Sequence, residues 1–130
     1  MTRLIMGALA GAIAWFVVIA ALGVVARFAW PEMAEIRDMS MLTFPMLVTR
    51  LAISAIGSVL SGALAAMIAR DAFKASLAAG VLLLIIFVPY HLTIWIDFPI
   101  WYHLTFFASL PLLSLLGGRL TRSKVATAAA

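Results

Sequence analysis

The stretch Leu4–Ala26, LIMGALAGAIAWFVVIAALGVVA, contains no Asp, Glu, Lys or Arg. A helix rises about 1.5 Å per residue and the apolar core of a bilayer is about 30 Å thick, so roughly 20 apolar residues span it. Three further uncharged runs of similar length follow, at Leu51–Ala69, Ala75–Ile96 and Phe98–Gly118. The sequence therefore predicts four transmembrane helices, at about 4–27, 46–69, 74–96 and 99–118.

The composition also favours a membrane protein. Hydrophobic residues make up 66% of the 130-residue chain and charged residues 11%, whereas a soluble domain has about 25% charged residues. This length suits one transmembrane domain, predicted over residues 1–120, followed by a flexible basic tail over 121–130. The absence of cysteine excludes disulfides, zinc–thiolate sites and iron–sulfur ligation.

The distribution of charge predicts the orientation of the helices. Alternating four helices across a bilayer places six basic residues on the side of the two termini and three on the opposite side. Cytoplasmic loops carry an excess of Lys and Arg, so we expect an antiparallel bundle with both termini in the cytoplasm (N-in, C-in). This asymmetry accounts for the net charge of +4 without nucleic acid as a partner. The six basic residues on the side of the two termini are Arg3, Arg70, Lys74, Arg119, Arg122 and Lys124, and the three on the opposite side are Arg27, Arg37 and Arg50.

The long connection between the first two helices carries its own helical signal. Pro31 suits the first position of a helix, and the acidic residues that follow suit its positive N-terminal end. Met33 and Ile36 fall on one face and the acidic residues near the other. We expect a short amphipathic helix near 31–41 on the outer surface of the membrane.

Small residues predict how the helices pack. Close contact between membrane helices depends on small side chains, because lipid tails are as apolar as Leu. The first helix carries Gly7 and Gly11, and the second carries Ser54, Ser58 and Gly62, each four residues apart. These faces pack within the chain or against a second copy or a partner membrane protein. The third and fourth helices, richer in Leu, Ile and Phe, are expected to face lipid more.

Two histidines are the first candidates for chemistry. His91 and His103 lie at equal spacing on either side of Asp97, at the turn between the last two helices, so their imidazoles are expected at one depth. Such a pair can bind a haem or a metal, or relay a proton. The alternative is an interfacial band in which His, Tyr and Trp direct polar tips to lipid headgroups.

Charged residues on the predicted outer side form the second candidate site. Arg50 opens the second helix close to three acidic residues of the connection, and Asp97 is expected at the same surface. This set can fold the connection over the bundle or bind a polar headgroup or anion; an arginine that only reaches for the interface is the alternative. The acidic members are Glu32, Glu35, Asp38 and Asp97.

The uncharged interior argues against catalysis and ion transport. No acid or base lies near the middle of any run, where a pump or transporter places an ionisable residue. No nucleophile–base pair, phosphate-binding loop or metalloprotease motif occurs. We therefore expect no enzyme, no catalytic or metal-ligating set and no resident cofactor.

Three motifs carry a resemblance to known proteins: the Trp30-Pro31 exit from the first helix, the segment Asp97–Phe106 and the ending Leu116-Gly117-Gly118-Arg119. With these motifs the chain resembles a class of small four-helix bacterial membrane proteins. The resemblance implies this architecture in a bacterial inner membrane and carries over no catalytic residue. The first helix lacks the acidic residue of the small multidrug exporters.

Three functional hypotheses remain open. The first is a non-catalytic accessory or self-assembling membrane subunit, from its small-residue faces and its contact with the lipid bilayer. The second is a binder or carrier of a small apolar ligand, a lipid or quinone, at the outer rim. The third is a haem or metal protein that uses His91 and His103.

Overall fold

The chain folds into an all-helical structure with four long apolar helices. The computed structural model describes residues 1–129, with side chains described as far as Arg122. A short helix and one turn of 3-10 helix lie between the first two long helices. The elements are α1 (Thr2–Ala29), α2 (Pro31–Glu35), the 3-10 turn (Met39–Met41), α3 (Phe44–Ile68), α4 (Ala72–Thr93) and α5 (Ile100–Ala129).

All four long helices are long and apolar enough to cross a membrane. Their bounds agree with the sequence expectation to within a few residues, except that α5 continues beyond 118. Most of the predicted flexible tail, 121–130, lies outside the residues whose side chains are described, and the flexibility stays a prediction.

The connection between α1 and α3 differs from the single helix expected over 31–41. Helix α2 begins at Pro31 as predicted but ends at Glu35, and the backbone is extended at Ile36. The 3-10 turn follows because the Asp38 carboxylate accepts hydrogen bonds from the backbone and side chain of Ser40. These local bonds compete with helical ones, as Asp and Ser side chains commonly do.

The ends of α3 and α4 carry ordinary helix-start signals. Pro45 occupies the first turn of α3, where its missing N–H has no helical partner. Asp71 precedes α4, accepts a hydrogen bond from the Lys74 backbone N–H at 3.1 Å and pairs with the Lys74 ammonium group. The backbone hydrogen bond holds the pKa of the exposed Asp71 carboxyl below its ordinary value, with help from the lysine side chain.

The four long helices form a bundle in which α3 contacts all three others, and α4 packs against α1 and α5. Helix α1 meets α3 through glycines: a Cβ at Gly7 or Gly11 would lie 2.7 Å from the Ala65 carbonyl oxygen or 2.6 Å from that of Ser61. Helix α5 meets α3 more closely still, since a Cβ at Gly62 would overlap the Ser114 carbonyl group. Small residues thus set the distances between these backbones.

Two expectations about packing need correction. Gly62 was grouped with Ser54 and Ser58 as one face, but the contacts that require a glycine at position 62 come from α5. The fourth helix was expected to face lipid, yet 33% of its apolar window is buried, against 22% for α1. The reason is the pair Gly117 and Gly118, which draws α5 onto both α3 and α4.

The two ends of the bundle differ in side-chain size. At the end where α1 begins and α3 finishes, the core consists of Ala65, Ala75 and Ala79. At the other end, called the loop end below, where α1 finishes and α3 begins, it consists of Leu47, Phe98 and Tyr102. The helices therefore pack tightly at one end and are held apart by large side chains at the other.

We expect Gly62→Ala to lower the free energy of unfolding, because the new methyl group has no room beside Ser114. Overpacking of this kind costs about 1–3 kcal/mol. Gly23→Ala is the matched control, since a Cβ at Gly23 meets no atom within 4 Å and Ala favours a helix by up to about 1 kcal/mol. Denaturant unfolding in detergent micelles measures both changes. Equal stability of the two variants would contradict the close α3–α5 approach.

Candidate functional site

His91 and His103 contact each other inside the loop end of the bundle. His91 lies in the last turn of α4 and His103 in the first turn of α5, so the turn at Asp97 brings them together. Their Nδ1 atoms are 2.7 Å apart, a hydrogen-bond distance. Only 3% and 0% of the two residues are exposed. The equal depth expected from their spacing is observed, whereas polar tips directed to headgroups are not.

Aromatic rings enclose the histidine pair. The Trp95 ring stacks on the His103 imidazole at 4.3 Å between centroids, and the Phe106 ring stacks on His91 at 4.4 Å. The Nε2 atom of His103 lies 3.2 Å from the Trp95 carbonyl oxygen. The pair is thus oriented by stacking and by a backbone hydrogen bond, without a carboxylate among the described side chains.

The geometry of the pair is that of a hydrogen bond. Two imidazole nitrogens on opposite sides of one metal ion, each at about 2.0–2.1 Å, would lie about 4 Å apart. The two Nδ1 atoms lie closer than this and point at one another. Among the described residues no group of three or more His, Cys, Asp or Glu side chains could hold a metal ion.

A cavity of about 600 Å³ opens beside the histidine pair at the loop end. On α1 its wall includes the small residues Ala20, Gly23 and Ala26. The residues of the connection from Met33 to Leu42 line the side nearest the loops. The apolar wall includes Trp15, Phe16, Ile19, Ile53, Phe87 and Phe106.

Polar side chains from all four long helices line the same cavity: Arg27, Arg50, Ser54, Tyr90, His91 and Tyr102. Arg50 is half-buried; its Nε atom lies 3.5 Å from the Tyr102 hydroxyl oxygen, and its guanidinium carbon lies 6.0 Å from the Phe98 ring centroid. Pockets for small molecules commonly combine an apolar wall with a few convergent polar groups. This arrangement can bind an apolar molecule that carries one polar end.

The structure does not join Arg50 to the four carboxylates expected around it. Glu32, Glu35, Asp38 and Asp97 are exposed, and the ion pair found between described side chains is Lys74–Asp71 instead. Hydrogen bonds from the Ser40 hydroxyl and backbone hold the pKa of the Asp38 carboxyl below its ordinary value. The guanidinium group of Arg50 therefore keeps hydrogen-bonding capacity for a group inside the cavity.

A buried hydrogen-bond chain forms the floor of the cavity. The Trp15 indole N–H donates to the Ser58 hydroxyl at 3.2 Å, and that hydroxyl donates to the Ser54 carbonyl oxygen at 2.9 Å. The Ser54 hydroxyl is buried, lies at the cavity and has no hydrogen-bond partner among the described residues. An unpaired buried hydroxyl costs free energy.

Sequence reasoning identified some of these residues and missed others. It singled out Arg50, His91 and His103, and it placed Ser54 and Ser58 on a packing face. It did not identify Tyr102 or Trp15 as part of a site. A signal was present, since Trp15 and the α3 serines are polar groups near the middle of apolar runs, and buried polar groups need partners.

The comparison with known proteins adds no name to this geometry. No family model, curated protein or solved structure matches the chain.

We expect Ser58→Ala to destabilise the protein by about 1–3 kcal/mol, because it leaves the buried Trp15 N–H without an acceptor. Ser61→Ala is the matched control on the same helix. Ser61 is equally buried but its hydroxyl has no partner, so its removal is expected to be neutral or stabilising. Thermal unfolding in detergent compares the two variants. Greater loss from Ser61→Ala would contradict the Trp15–Ser58 bond.

Proposed function

We propose that this chain is a small multi-pass membrane protein that binds or carries an apolar ligand with one polar end, of the lipid or quinone class, without catalysing a reaction. The observation that carries the proposal is the 600 Å³ cavity, whose apolar wall meets the polar side chains of Arg27, Arg50, His91 and Tyr102. A ligand of this kind would satisfy both types of lining.

Insertion in a membrane is supported by the outer surface of the bundle. Large apolar side chains are exposed along all four long helices, for example Ile13 at 63%, Leu60 at 47%, Ile85 at 64% and Leu112 at 63%. In water such a surface would associate or aggregate, whereas in a bilayer it faces lipid tails. The charge asymmetry supports the N-in, C-in orientation, and the resemblance to small four-helix bacterial proteins supports the bacterial inner membrane.

The small-residue faces give less support to a self-assembling or accessory subunit than the sequence suggested. Gly7 and Gly11 are occupied by α3, and Gly62 is occupied by α5. These residues therefore leave no close-packing face for a second copy. The cavity, in contrast, has space and polar groups that the chain does not fill.

The orientation predicts which loops are reached from outside the cell. The chain has no cysteine, so single cysteines at exposed positions report their own side of the membrane. We expect Ser40→Cys and Asp97→Cys to react with a membrane-impermeant maleimide in intact spheroplasts. Thr2→Cys and Lys74→Cys are the controls from the opposite side and should react only after permeabilisation. Labelling of all four from one side would refute the four-span arrangement.

Filling the cavity should displace the ligand. Gly23 lines the cavity and a Cβ there meets no atom within 4 Å, so Gly23→Phe would project a ring into open space. We expect about ten-fold less apolar ligand to co-extract with this variant, which corresponds to about 1.4 kcal/mol of binding energy. Mass spectrometry of extracts from the purified protein measures this amount.

Ala21→Phe provides the control for that experiment. Ala21 lies on the same helix, is exposed and does not line the cavity. This variant should retain the ligand of the parent protein. Equal ligand content in both variants, or none in the parent protein, would count against a ligand-binding function.

A further inference from the structure

The hydrogen bonds of the histidine pair have a fixed direction that begins at Trp95. A carbonyl oxygen only accepts hydrogen bonds. The contact of 3.2 Å between the Trp95 carbonyl oxygen and Nε2 of His103 therefore requires a proton on that nitrogen. In a neutral imidazole one nitrogen donates and the other accepts, so Nδ1 of His103 is an acceptor.

The same rule determines the second ring. The contact of 2.7 Å between the two Nδ1 atoms needs one proton, and since Nδ1 of His103 accepts, Nδ1 of His91 donates. Nε2 of a neutral His91 is then left with a free lone pair. The pair is most stable uncharged, because both rings are buried and two cationic side chains, Arg27 and Arg50, line the same cavity.

The acceptor end of this chain of bonds is available at the cavity. His91 lines the cavity, and its Nε2 atom takes part in no hydrogen bond among the described residues. The residue as a whole is 3% exposed. The hydrogen bond from His103 to the Trp95 carbonyl oxygen thus makes Nε2 of His91 the hydrogen-bond acceptor that is offered to a ligand in the cavity.

The other polar side chains at the cavity determine what else the head group of a ligand must supply. The guanidinium groups of Arg27 and Arg50 only donate hydrogen bonds, whereas the hydroxyl of Tyr102 can donate or accept. A head group that satisfies the site needs an O–H for His91 and an oxygen that accepts from Arg50. A single hydroxyl group, or two neighbouring ones, meets both needs.

We propose that the cavity selects apolar ligands whose head carries a hydroxyl group that donates a hydrogen bond to Nε2 of His91. This inference rests on the proposed ligand-binding function and narrows its ligand class. Alkylated phenols and hydroquinones qualify, as do lipid alcohols such as monoacylglycerols. Quinones and ethers of the same size carry only acceptors and leave the His91 lone pair without a partner.

The test uses two probes that differ only in the donor. The full-length protein in lipid nanodiscs is titrated with 4-nonylphenol and with its methyl ether, 4-nonylanisole, and empty nanodiscs correct for partitioning. One hydrogen bond is worth about 1 kcal/mol, so the phenol should bind about five-fold more tightly. Equal affinity, or tighter binding of the ether, would overturn this inference but leave ligand binding intact. Binding of neither probe would count against the proposed function itself.

Variants of the pair separate a hydrogen bond from a packing role. His91→Phe keeps an aromatic ring among its neighbours but lacks an acceptor, so the five-fold preference should disappear. His103→Asn places an amide oxygen near the position of Nδ1 and can still accept from His91, so the preference should persist. His103→Leu removes that acceptor and should reduce the preference. If His103→Asn and His103→Leu prefer the phenol to the ether equally, the hydrogen bonds from Trp95 through His103 do not determine the acceptor on His91.

The two sources of a hydroxyl head are distinguished by competition. A decyl-substituted hydroquinone and a monoacylglycerol are each added to protein loaded with 4-nonylphenol. Displacement by the hydroquinone alone identifies an aromatic hydroxyl, and displacement by the monoacylglycerol alone identifies a lipid alcohol. Displacement by the corresponding quinone as strongly as by the hydroquinone would overturn the requirement for a donor.

Discussion

The close approach of helix backbones at small residues is the constraint on which the rest of the structure depends. Gly11 brings α1 onto α3 at Ser61, and Gly62 brings α5 onto α3 at Ser114. For the bilayer location proposed above, burying apolar side chains against each other would add little, so contact at this distance would supply the association. The two contacts make α3 the central helix and determine where the others can separate.

The cavity and the histidine pair lie at the loop end, away from those close contacts. Beyond Trp15, the small residues Ala20, Gly23 and Ala26 of α1 line open space that α3, α4 and α5 also border. The short turn at Asp97 holds the ends of α4 and α5 together, which brings His91 against His103. The core at the end where α1 begins consists of alanines, whereas the loop end combines open apolar space with oriented polar groups. Unpaired polar groups are costly in such apolar surroundings.

The sequence predicted the helices better than the site because the two depend on different ranges of interaction. Four uncharged runs predict four helices from local composition alone, and the positions of Gly7 and Gly11 predict a close contact. The spacing of His91 and His103 about Asp97 predicted their common depth, since a short hairpin relates depth to sequence distance. The network around Arg50 was not found, because charges near one surface need not be within bonding distance. The connection between α1 and α3 broke into two pieces because Ser40 and Asp38 bond locally.

What the sequence determined by itself is the number of long helices, their approximate bounds and their apolar character, because helix length and hydropathy are properties of contiguous residues. What only the tertiary structure decided is which partner each small residue meets, that α5 is more buried than α1, and that the loop end contains a cavity. The direction of the hydrogen bonds from Trp95 to His91 also belongs to the tertiary structure. These features depend on how the helices are placed relative to one another. That placement changes by ångströms with side-chain size, and no contiguous stretch of sequence encodes it.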